Sequence, residues 1–152
     1  MIAYHCDTNT ILQAAFQTRK DKHHIAAYNS SMHRLKARGH TVTSQVLNNK
    51  ASAEYKHVIE EDWDWTYFLI PPDVHRRNAV ERAIQIFKAQ FLSILAGVDP
   101  SFPKFLWNKL LPQTELTLNL LRQATVDPSQ SAWENCNGPF NYDATPVVPL
   151  GC

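Results

Sequence analysis

From Asn78 to Ala96 the chain carries Val80, Ile84, Phe87, Phe91 and Ile94 at the spacing of one helical face, uninterrupted by proline or glycine. A helix of that length must bury its apolar stripe, and Gly97 marks its end. Just before it, Thr66 to Ile70 reads as a strand stopped by Pro71-Pro72, because proline lacks the amide proton a ladder needs. A strand feeding a long amphipathic helix points to layers of helix on sheet, and the rest of the chain has to supply the other surfaces.

The remaining elements follow the same signals. Ile2 to Cys6 and Thr10 to Phe16 are short apolar runs around the polar turn Asp7-Thr8-Asn9, a hairpin pattern. Asp21 to Arg38 places Ile25, Tyr28, Met32 and Leu35 on one helical face, with Gly39 where a helix ends. Thr41 to Leu47 reads as a strand, and Ser52 caps a helix running to about Asp62. Beyond Ser101-Phe102-Pro103 a helical pattern runs through Trp107, Leu110 and Leu111 to Leu121, and Pro112 is expected to kink or split it. After Ala124 the sequence, rich in Pro, Asn, Asp and Ser, predicts an irregular tail packed against the domain. The order is strand, strand, helix, strand, helix, strand, helix, helix, which predicts an α/β fold with a mixed sheet flanked by helices.

Composition narrows the class. With 44% hydrophobic and 19% charged residues in 152, the chain is globular, and no apolar run is long enough for a membrane span. That makes an intracellular protein the simplest reading, with no membrane partner. Cys6, Cys136 and Cys152 form no disulfide framework or C-x-x-C clip, and no Cys pair lies at finger spacing from any of the seven histidines. The histidines therefore read as ordinary surface or partly buried residues. The net charge of +1 conceals segregation: residues 19–38 and 75–88 are basic, residues 54–73 are acidic, and no Lys or Arg follows Arg122. Basic helical segments meet phosphates or simply face water.

One ordered set of motifs resembles a known family. Val46-Leu47-Asn48-Asn49-Lys50, Glu54-Tyr55, Trp63, Ile70-Pro71-Pro72 and Asn78-Ala79-Val80-Glu81-Arg82 are similar to the middle of retroviral and retrotransposon integrase cores. Trp107, Thr117-Leu118-Asn119-Leu120-Leu121, Ser131-Ala132-Trp133-Glu134, Gly138-Pro139 and Gly151-Cys152 resemble the region after the core in Copia-type elements, with Leu150 in place of the family's Phe. The resemblance spans nearly the whole chain. It implies a ribonuclease H-like fold with residues 1–97 as a partial core, 98–124 as a helical extension and 125–152 as a Copia-type tail.

The family transfers DNA strands with two Asp and one Glu that hold Mg2+ or Mn2+, so the resemblance implies DNA as partner, a possible homo-oligomer and a nuclear location. Its Glu carries over to Glu81 and its downstream helix Lys to Lys88. Its second Asp falls on Asn48, at a slightly shorter interval from Glu81 than the family's usual one. Its first Asp belongs to an earlier, central strand that is expected to lie upstream of Met1. Two-metal catalysis needs carboxylates that hold two ions about 3.5–4 Å apart, and one Glu facing a neutral Asn supplies too little charge. The metal centre is therefore expected not to be intact, and this chain is expected not to catalyse.

Taken alone, Glu81 is a helix carboxylate beside Arg77 and Gln85, and Asn48 is a turn residue after a strand. With the family in view, Arg77, Glu81, Gln85 and Lys88 share a face expected to lie along DNA, with Arg76 and Arg82 contributing. Two alternatives stay open: a domesticated non-catalytic DNA- or protein-binding module, and an unrelated small α/β structural protein. Without the central strand, the hairpin and the parallel half are expected to part, leaving open edges.

Overall fold

The computed structural model describes residues 1–18, 20–48, 51–71, 79–145 and 147. In chain order it contains β1 (Ile2–His5), β2 (Thr10–Gln13), α1 (Asp21–Lys36), β3 (Ser44–Asn48), α2 (Ala53–His57), β4 (Thr66–Ile70), α3 (Ala79–Gly97), α4 (Leu111–Leu121) and α5 (Ala132–Asn137). The chain is mixed α/β. Its strands form two separate two-stranded sheets: β1 with β2 antiparallel, and β3 with β4 parallel. The mixed pairing expected of one sheet is thus divided between two.

Local chemistry sets most boundaries. Asn9 closes the β1–β2 turn in the left-handed region at φ 57°, which a short amide side chain tolerates. Met1 and Ala14 extend that ladder by a further pair of backbone contacts, so β2 ends well before Phe16. Gly39 adopts φ +80° after α1, and the amide of His40 bonds back to the carbonyl of Leu35 at 3.1 Å. The Ser52 hydroxyl accepts the amide of Tyr55 at the start of α2, and a single π-helical turn, Val58–Asp62, follows. Pro112 sits in the first turn of α4, where no intrahelical amide is missed, and the preceding Lys104–Leu110 winds as a 3-10 helix.

The tail departs from expectation. It packs against the domain, with the amides of Thr125 and Val126 bonding to the carbonyl of Asp7, but it also forms α5. A capping box starts that helix: the Ser131 hydroxyl accepts the Glu134 amide, and the Glu134 carboxylate accepts from the Ser131 amide. Two amides satisfied reciprocally explain why a six-residue helix holds.

The hairpin is a shared wall. Its Ala3–Leu12 face joins Tyr28, Met32 and Leu35 of α1, Leu47 of β3, and Tyr55 and Ile59, while its Ile2, Tyr4 and Ile11 face packs on Ala83 and Phe87 of α3 and Leu118 of α4. Alternation along each strand sends neighbours to opposite layers. The β3–β4 pair has one such partner. Leu47 and Tyr67 face the α1 layer, whereas Val46 and Phe68, register partners on the other face, are 53% and 62% exposed.

Side chains of α4 close the outer edge of β2. Asn119 accepts the Ile11 amide and donates to the Ile11 carbonyl, both at 2.9 Å. One turn earlier Glu115 accepts the Gln13 amide at 2.8 Å and pairs with Arg34 of α1. One turn later Arg122 donates to Asn9 in the hairpin turn. The i, i+4 step of a helix, about 6 Å, approximates two residues of strand, so one face of α4 stands in for a missing neighbour strand.

Candidate nucleic-acid interface

The sequence places its site on α3 and at the end of β3. Helix α3 forms because residues 79–97 are dominated by good helix formers, and it stays in place by burying Ala83 and Phe87 against β1 and α4. Arg82, Gln85 and Lys88 follow at three-residue spacing and are all exposed, so they share the solvent side. Glu81, in the first turn, is half-buried and lies closer to the packed side than those three. Arg76 and Arg77 fall outside the described residues.

Asn48 is the last residue of β3 and is exposed. Its register partner is Ile70, the last residue of β4, so both strands of the parallel pair end together. The chain leaves Ile70 at that end and enters α3 at Ala79, placing Asn48 at the end of the sheet from which the chain sets out toward Glu81.

At Asn48 the side chain offers a neutral carbonyl oxygen, where two-metal chemistry wants an anion. Among the described residues no group of three or more His, Cys, Asp and Glu side chains is placed to hold an ion. An open groove of about 530 Å³ lies between the end of β2 and α1, with Phe16, Gln17, Lys22 and His23 in its lining. No carboxylate lines it among the described residues, so it offers no charged oxygen ligand for a hard ion.

One surface feature escaped the sequence reading. Along the 3-10 helix after α3, Phe105 is 79% and Trp107 48% exposed, with exposed Lys104 and Lys109 on either side. Trp107 meets Phe91 of α3 edge-on at 6.1 Å. Exposed aromatics interleaved with lysines suit bases and phosphates. The signal is legible as Lys-Phe-Leu-Trp-Asn-Lys, but helical periodicity alone does not tell that Phe105 and Trp107 face solvent.

No protein-family model and no curated protein matches the chain. No helix among the described residues is long and apolar enough to cross a membrane.

Proposed function

We propose that the chain is part of the catalytic core of a Copia-like retrotransposon integrase, of ribonuclease H-like fold, that does not catalyse by itself and keeps a DNA-contacting face on α3. The observation that carries this reading is the division of the strands. Among the described residues an antiparallel hairpin and a parallel pair stand apart, each strand paired on one side only, a pattern that suits a ribonuclease H-like sheet whose central strand is not among them. The bare Val46–Phe68 face supports it too, because parallel strands are ordinarily covered on both sides.

In this reading Asn48 occupies the place of the second Asp and Glu81 that of the Glu. Mg2+ or Mn2+ is the ion of the family, and Glu81 with a neutral Asn48 supplies less charge than a pair of such ions calls for. DNA contact is through phosphates: Arg82 and Lys88, together with Arg76, Arg77 and the Gln85 amide, meet the backbone without reading bases. Lys104 and Lys109 extend the basic surface beside the end of α3. The edge closure by Asn119 and Glu115 favours a second reading, a domesticated binding module, which uses the same face but requires the chain to fold alone.

Fluorescence anisotropy with a labelled duplex tests the face. Affinity is expected to fall log-linearly with salt, and Arg82→Ala with Lys88→Ala to lower that slope by about 2. Affinity indifferent to both salt and these substitutions rejects the DNA-contacting face.

A further inference from the structure

Away from α3, two imidazoles meet between the end of β1, the connection after α1, and α5. His5 is the last residue of β1 and His40 follows Gly39. Their ring centroids lie 5.3 Å apart, with the ring planes at 58°.

Hydrogen bonds fix where each ring carries its proton. The Nδ1 atom of His5 is 2.8 Å from the Thr8 hydroxyl, that hydroxyl is 2.8 Å from the Thr10 hydroxyl, and Thr10 is 3.1 Å from the carbonyl of Ala132. A carbonyl only accepts, so the single proton of Thr10 points at Ala132. The proton of Thr8 must then point at Thr10, and the Thr8 oxygen can only accept from His5. Nδ1 of His5 therefore carries the proton, and Nε2 holds a lone pair. At His40 the Nε2 atom lies 3.4 Å from the carbonyl of Cys136, again only an acceptor, so Nε2 donates and Nδ1 holds the lone pair. Neither lone pair has a hydrogen-bond partner among the described residues.

We propose that His5 Nε2 and His40 Nδ1 jointly ligate one divalent transition-metal ion of the Zn2+ or Cu2+ kind, with water completing its coordination. Two imidazoles bound at Zn–N distances of about 2.0–2.1 Å around a tetrahedral ion have centroids roughly 5 Å apart, which matches the spacing here. Imidazole nitrogen is the donor such ions take readily. The far nitrogen of each ring is already held by a hydroxyl or a carbonyl, the outer-shell contact that orients ligating histidines. An ion at this place ties β1 to the connection after α1, and through the Ala132 and Cys136 carbonyls it braces α5. The site shares no residue with the α3 face and does not depend on the integrase reading.

Calorimetric titration of the intact chain with Zn2+ at neutral pH tests the proposal. Saturable binding is expected, together with a rise in Tm that EDTA reverses. His5→Gln and His40→Gln are expected to abolish both effects, while exposed His57→Gln leaves them unchanged. Thr8→Val keeps both imidazoles but removes the outer-shell acceptor, and is expected to weaken binding about 10–100-fold. Should the His variants fail to fold by circular dichroism, Co2+ added to the unmodified chain decides. Its paramagnetism is expected to broaden the His5 and His40 ring signals before those of the other imidazoles. Absence of saturable binding by the folded chain, full binding in folded His5→Gln and His40→Gln, or broadening that begins at other histidines overturns the site.

Discussion

The side-chain amide of Asn119 grips the backbone of Ile11 from both sides, accepting its N–H and donating to its C=O at 2.9 Å each. Both residues are buried, so the amide replaces the strand that β2 lacks on its outer edge. Replacing Asn119 with Leu keeps the volume and strands two backbone groups away from water. Each is expected to cost about 1–3 kcal/mol, a large share of a total near 5–15 kcal/mol. Urea unfolding checks this: the midpoint falls, and the slope stays unchanged if the effect is on the folded state alone.

Acid should weaken the fold in a defined window. Burial, then the neighbouring His40, push the His5 pKa below the ordinary imidazole value, with Asp7 opposing them. Burial and the amino terminus lower that of His24, against Asp21. The unfolded chain then binds more protons than the folded one as these groups titrate. Their contribution is complete above about 6.5, the unfolded imidazole value, and is lost as pH falls toward the lowered folded values. Thermal melts from neutral to mildly acidic pH should show Tm dropping, and His24→Gln should flatten part of that drop.

The open face and edges of the β3–β4 pair carry a solubility liability. Phe68 and Val46 are exposed side by side on a parallel pair, and β3 has no partner on its other side among the described residues. The chain expressed alone is expected to self-associate. Phe68→Lys should shift light-scattering mass toward the monomer while leaving Tm within about 0.5 kcal/mol equivalent of the parent, as a surface change does.

Much of the architecture is legible in the sequence. Periodicity placed α1 and α3, Ser52 and Gly39 marked helix ends, and Pro112 fell at a helix start because φ and the missing amide are cheapest there. The chain order of strands and helices followed from those local signals. The capping box Ser131-Ala132-Trp133-Glu134 announces α5 just as locally, although the Pro- and Asn-rich neighbours argue for an irregular tail. The roles of Asn119 and Glu115 were invisible for another reason. Their partners Ile11 and Gln13 lie more than a hundred residues away, and no local pattern encodes that pairing. The same holds for His5 and His40, whose distance in sequence hides a shared space.

Asn48 and Glu81 give the integrase reading its sharpest test, because that reading requires them to face one small space. In that reading Asn48→Asp places a second carboxylate in the same space, and hard oxygen donors suit Mn2+. Electron paramagnetic resonance titration of Mn2+ into the Asn48→Asp chain is expected to reveal a saturable site that the unmodified chain lacks, and adding Glu81→Gln is expected to remove it. An Asn48→Asp chain that binds Mn2+ no better than the parent, or equally well without the Glu81 carboxylate, contradicts the account.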